Sequence, residues 1–211
     1  MAFPTTGILD PFTYANNASL VTASGGAWGT LFGLDFNVNS NAIFPNGSSG
    51  LVLWQALSIA SAEAYALVSQ VPSSGDSVAC AWLSNGGDGY VVTYQHGAPG
   101  FMRITRSTGF APTTLGADVS LTIATNDSIG LYVSAGTIEG WHHNGASWSL
   151  ILTRSDGTHT TARRIGITTG GVTSGITDFG GGAPVAGGSP VGPLLQGKLV
   201  GGGILQGRLV R

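Results

Sequence analysis

The chain predicts an all-β protein of packed antiparallel strands followed by a short β-rich tail. Three observations predict it. Apolar residues alternate with small or polar ones in short segments throughout the first 182 residues. Clusters of Gly, Pro, Asn, Ser or Asp separate these segments at about 8–12-residue spacing, the rhythm of a sandwich or barrel. Past Gly180 the texture changes to a glycine-rich linker and then to a repeated apolar motif.

In order along the chain, Tyr65, Leu67, Ser69 and Val71 alternate with small residues before Pro72-Ser73-Ser74-Gly75-Asp76. Val78, Cys80 and Trp82 share one face ahead of Asn85-Gly86-Gly87-Asp88-Gly89, which reads as a tight turn. Tyr90, Val92 and Tyr94 follow, with Val91 and Thr93 on the opposite side. Further candidates run from Phe101 to Thr105, and through Val119, Leu121 and Ile123. The next are Ile129, Leu131 and Val133, then Thr137 to His143 and Trp148 to Leu152. Arg163 to Thr168 and Gly175 to Phe179 close the body. Helix competes only at Leu57 to Leu67, whose second half already alternates as a strand does. That segment reads as loop into strand, with room for a helical turn.

The predicted organisation is a body over residues 1–182, a Gly/Pro linker over 183–192 and a tail over 193–211. Within the tail, Leu194, Leu195, Gln196, Gly197, Lys198, Leu199 and Val200 match Ile204, Leu205, Gln206, Gly207, Arg208, Leu209 and Val210 at an offset of ten. Two such strands alone are marginal in water, so the repeat needs a partner surface. It could add strands to a neighbour's sheet edge or wind with symmetry mates about an axis, a trimer being favoured; or it could fold back on its own body. The body carries ten acids against five arginines, a net charge of −5, and residues 183–211 carry +3. Opposite charges of this kind draw one subunit's tail toward another's body.

Charged residues make up 9% of the chain against about 25% in an ordinary soluble protein. A net charge of −2 without a basic stripe excludes nucleic-acid binding. No stretch approaches 18 apolar residues, so no membrane span is expected. The opening Met1 to Gly7 lacks a basic region followed by an apolar run and does not read as a signal peptide. Cys80 is the single cysteine and reads as a buried apolar residue.

The body resembles the concanavalin A-like (laminin-G-like) sandwich modules of phage structural and bacterial surface proteins. The resemblance rests on Leu9-Asp10-Pro11-Phe12-Thr13-Tyr14-Ala15-Asn16, Gly25-Gly26-Ala27-Trp28, Ala64 to Val68 paired with Val78 to Leu83, and Gly89-Tyr90-Val91-Val92. It continues through Ile129 to Val133, the Trp141-His142-His143-Asn144-Gly145 hairpin, Arg164 to Ile167 and Ile176 to Phe179. It covers residues 8–182 and implies an antiparallel two-sheet jelly-roll whose first and last strands pair, which would bring the tail's exit close to the N-terminus.

Glycosidases of this fold align several carboxylates on one strand, two of them about 5–5.5 Å apart when the enzyme retains configuration. Here Glu63 and Glu139 are the only glutamates, far apart in sequence, so no enzyme is expected. His142 and His143 are adjacent and on a strand point to opposite faces, which prevents joint metal binding. The four histidines read as surface or half-buried residues. The Asn85–Gly89 run lacks the repeated acids that calcium needs. Neither metal nor cofactor is expected.

Aromatic residues are the better candidates. Trp141 and His142 precede the Asn144-Gly145 turn and Trp148 follows it, so one tryptophan can offer a flat plate to a sugar ring. Core packing is the competing explanation, and Trp28, Trp54 and Trp82 read as core. The expectation is a non-enzymatic phage virion surface protein (capsid decoration, head fibre or minor tail), made in the host cytoplasm. It would assemble with itself and with other virion proteins through its tail. The alternative is a module adhering to host glycans.

Overall fold

The computed structural model describes residues 3–33, 35–47 and 49–185. The expected linker is described only as far as Val185, and the whole tail, with Leu194, Leu195, Gln196, Leu199, Val200, Ile204, Leu205, Gln206, Leu209 and Val210, lies outside the described residues.

Sixteen strands and one helical turn make up the described chain. The strands are β1 (Ile8–Asp10), β2 (Trp28–Gly33), β3 (Phe36–Asn39), β4 (Ala42–Pro45), β5 (Ser49–Trp54), β6 (Ala62–Gln70), β7 (Ser77–Leu83), β8 (Gly89–Gln95) and β9 (Phe101–Thr108). They continue as β10 (Ala111–Thr114), β11 (Val119–Ser120), β12 (Ser128–Ser134), β13 (Thr137–His143), β14 (Trp148–Ser155), β15 (Arg164–Gly170) and β16 (Gly175–Gly182). Sheet A runs β14-β13-β12-β6-β16-β4-β3, with β1 added to β16. Sheet B runs β10-β9-β8-β7-β15-β5-β2, with β11 added to β9. Every pairing is antiparallel. The first and last strands do pair, Ile8 opposite Gly180 and Asp10 opposite Phe179.

Alternation puts one set of side chains from each sheet into the shared core. Sheet B supplies Val78, Cys80, Trp82, Tyr90, Val92, Tyr94, Met102 and Ile104, all buried. Sheet A supplies Ala62, Ala64, Ala66 and Val68 from β6, with Ile129, Leu131 and Val133 from β12. The inward row of β6 is therefore its small residues, and Tyr65, Leu67 and Ser69 face outward. The bulky Trp82, Trp28 and Phe179 fill the core, which leaves room for little more than methyl groups on β6.

Several expectations are corrected. The one helical turn among the described residues is Leu20–Ala23, capped by Ser19, where none was expected; Leu57–Leu67 is loop into strand as read, without the helical turn it left room for. Only Val119 and Ser120 of the Val119–Ile123 candidate pair as strand, although Ile123 is buried. Of the opening motif only Ile8–Asp10 is strand; Phe12 has φ 51° and turns into the core. Trp54 is half-buried and packs edge-on against Trp28. His142, His143 and His159 are buried, not at the surface: His142 and His159 bond to Asp127 and to the Ser107 carbonyl, and His143 lies against Trp148 and accepts the Gly145 N–H.

Candidate functional site

Strand pairing decides where the sequence-predicted residues point. Trp141 lies opposite Gly130, which lies opposite Tyr65, and all three sit on the outer face of sheet A. His142 lies opposite the core residue Ile129 and faces inward, 2.8 Å from the Asp127 carboxylate. Asp127 also accepts the Ala124 N–H, so this pair closes one end of the core. Trp148, half-buried, returns to the outer face opposite His143. Burial holds His143 below the ordinary histidine range, the nearby His142 adding to that and Asp127 opposing it. The structure thus groups Trp141 with Trp148 and separates His142 from both.

The space between the two tryptophans is filled from within. Phe3 is 2% exposed; its ring stacks on Trp141 at 5.0 Å and meets Trp148 edge-on at 4.9 Å. It lies directly over Gly130, where a Cβ would come within 2.5 Å of it. Trp141 is in consequence only 8% exposed. The following residues carry the strap across the sheet. Glu63 accepts the backbone N–H of Thr5 at 2.7 Å and of Thr6 at 3.1 Å, together with both threonine hydroxyls. The Tyr65 hydroxyl donates to the Thr6 carbonyl, and burial followed by the charge of Glu63 pushes that phenol up to about 12. Val185 N–H donates to the Thr5 hydroxyl, so the departing chain leaves beside the strap.

The same face brings the two glutamates together. Glu63 and Glu139 both lie opposite Tyr132, so they stand two strands apart, about 10 Å from backbone to backbone. Sequence distance concealed this. Glu63 is fully buried and saturated by the strap, and Glu139 accepts the Trp141 indole N–H at 3.0 Å. No group of three or more His, Cys, Asp or Glu suited to a metal occurs among the described residues.

A second aromatic site was missed by sequence reasoning. Phe32 of β2 and Phe110 of the β9–β10 turn are 58% and 39% exposed and stack at 5.6 Å. They come from opposite ends of sheet B, which laid flat would be about 29 Å apart. The sheet and its turns must therefore curl toward the outer face. Phe32 lies opposite Leu51, an outward-facing residue, and Phe110 rests against Gly87, where a Cβ would come within 2.6 Å of its ring. Leu51, Leu53, Ala81 and Leu83 form a small apolar cluster on this outer face, with Leu31 and Val91 packed against it, and all four are sealed from solvent. The Asn85–Gly89 segment is a tight turn: Ser84 Oγ accepts the N–H of Gly86 and of Asp88, and Asp88 accepts the N–H of Gly109. Arg164, opposite Leu83 on the same face, donates to Asn85 Oδ1 at 2.6 Å. The arrangement offers flat apolar rings bordered by amide and guanidinium donors. One signal could have found it: two lone phenylalanines set among Gly, Thr and Ser, at Gly29-Thr30-Leu31-Phe32-Gly33 and Thr108-Gly109-Phe110-Ala111.

Comparison with known proteins places the fold. The VIP36 exoplasmic/lumenal domain, in its metal-free form, is similar with a TM-score of 0.64 over 88% of this chain and 95% of that one, at 9% identity. The carbohydrate-binding module CBM66 from Bacillus subtilis gives 0.58 over 72% and 93%, at 11% identity. The legume lectin-like domain from Entamoeba histolytica gives 0.57 over 85% and 100%, at 10%. A GH43 protein, BlXynB from Bacillus licheniformis, gives 0.60 at 13% identity, with 40% of its own length matched. No family model and no curated protein sequence matches the chain. The chain therefore has the legume-lectin-like, concanavalin A-like sandwich fold. The solved structures it resembles are mostly lectin or carbohydrate-binding domains.

Proposed function

We propose that the protein is a non-enzymatic carbohydrate-binding module whose ligand meets the Phe32–Phe110 pair on the outer face of sheet B. The observation that carries the reading is that pair: two exposed rings, brought from opposite ends of a sheet, with Asn85 and Arg164 close by. Aromatic faces attract the C–H faces of sugar rings, and neighbouring donors fix their hydroxyls. The lectin-like fold supports the same direction. Trp148 on sheet A, half-buried and next to the exposed Leu150, is a second contact; Trp141 lies beside it under the Phe3 ring, whereas His142 faces the core against Asp127.

The test is a glycan array followed by calorimetry on wild type and on a Phe32→Ala/Phe110→Ala double variant. Binding by wild type and its loss in the double variant, with thermal unfolding unchanged, is the expected result. Equal binding by both proteins overturns the site, and no binding to any glycan overturns the function.

A second reading concerns where such a module works. The low charge and the repeated tail motif, identical at five of seven positions, favour a phage virion surface protein that assembles through residues 193–211. It would be made in the host cytoplasm, and a trimer is the favoured form. Light scattering should then give a trimer for the full chain and a monomer for a chain ending at Gly182. Monomers in both cases refute assembly through the tail.

A further inference from the structure

We infer that the saccharide bound at sheet B carries a carboxylate, and that Arg164 receives it. The inference rests on the carbohydrate-binding reading of this face and names the ligand class within it. The described chain holds five arginines, and four have their guanidinium groups engaged. Arg103 forms a two-point ion pair with Asp118, and Arg106 pairs with Asp156 while donating to Thr158. Arg154 donates to the carbonyls of Leu115, Thr153 and Ala117. Arg163 lies over the Trp82 ring and donates to Thr161 and toward His159.

Arg164 differs from all of them. Its one side-chain hydrogen bond among the described residues runs from Nη1 to Asn85 Oδ1, and no carboxylate stands within 4.0 Å. Asp88 belongs to the same turn, but one of its oxygens is taken by the Gly109 N–H. The Arg164 Nε is buried without a partner, as is that of Arg163, so its usable donors lie at the Nη end, where Nη2 makes no hydrogen bond among the described residues and is not sealed. Asn85 thus orients a planar cation whose outer edge can take both oxygens of a carboxylate, the two-point geometry that guanidinium prefers.

Position supplies the rest. Arg164 lies opposite Leu83 in the β7–β15 pairing, and the turn that follows Leu83 carries both Asn85 and Gly87, on which Phe110 rests. A sugar ring against Phe110 and Phe32 can therefore present its carboxylate to Arg164. The body's net charge of −5 works against a polyanion, so the ligand is a saccharide with a single carboxylate per binding unit, such as one uronic acid residue in a neutral chain.

The test uses a matched pair of oligosaccharides, one with a single uronic acid residue and its carboxyl-reduced neutral counterpart, titrated into full-length wild type, Arg164→Gln and Arg164→Lys. Wild type should prefer the acid by about tenfold or more, as expected for a charge-assisted two-point contact. Arg164→Gln should bind both members with the weaker affinity, and Arg164→Lys should recover part of the preference because the charge returns without the fork. Equal binding of the two sugars by wild type, or an undiminished preference in Arg164→Gln, overturns the inference and leaves the carbohydrate reading standing. Failure of folded wild type to bind either sugar, or any glycan on an array, removes the carbohydrate reading and the inference with it.

Discussion

Replacing Phe3 by Ala tests how the strap is held to sheet A. The ring is buried between Trp141 and Trp148 over Gly130. Returning a buried phenylalanine to water costs about 2–3 kcal/mol. Each aromatic pair lost adds about 1 kcal/mol. The sum of about 4–5 kcal/mol agrees with the range of about 3–5 kcal/mol for buried Phe→Ala changes. For a body of this size each kcal/mol lowers Tm by about 2–4 °C, so a fall of about 8–20 °C is expected. Urea unfolding followed by circular dichroism would measure the loss. Tryptophan emission should shift to the red in the folded variant, because Trp141 would then face water. A loss below about 1 kcal/mol with unshifted emission would refute the reasoning, since Phe3 would not be what closes this face.

Three other predictions concern titration and reactivity. Burial pushes the Cys80 thiol well above its ordinary value, so native protein should resist alkylation at neutral pH and react only on unfolding, as a thiol-reactive dye would report. Burial raises Asp156, but hydrogen bonds from Thr158 and Tyr90 and the charge of Arg106 outweigh it and hold the carboxyl at about 2. Its folded value lies below its unfolded one, so its stabilisation is complete above about pH 4 and is lost as pH falls toward 2; the stability gap between wild type and Asp156→Asn should narrow over that window. Asp178 is the opposite case, raised by burial and then by the charge of Asp10. Its ionisation opposes folding as pH rises through the carboxylate range, so Asp178→Asn should raise Tm at pH 7 and lose that advantage in acid.

The strands most legible in the sequence were those with a clear two-residue period and one deeply buried face. Val78, Cys80 and Trp82, or Tyr90, Val92 and Tyr94, could be assigned to a common side because each row enters the core. β6 resisted that reading. Both of its rows are apolar in part, and the choice between alanines and Tyr65–Leu67 depends on the volume already taken by Trp28, Trp82 and Phe179. Strands β2 to β5 were hardly visible, since β3 and β4 are four residues each and β2 is bulged. Of the candidate site, Trp141 and Trp148 could be named, but not that Phe3 lies between them. Phe32 and Phe110 carried no local signal of meeting.

By itself the sequence determined the all-β class and, from Tyr65 onward, most of the strand rhythm and turns, because alternation and turn chemistry are properties of neighbouring residues. The tertiary structure alone decided which faces are covered. Phe3 reaches Trp141, Glu63 meets Thr5, Phe32 meets Phe110 and Arg164 is left with open donors only after the sheets have curled and packed. Such contacts join residues remote along the chain, and no local pattern encodes them. Their energies depend on the burial that the finished fold creates.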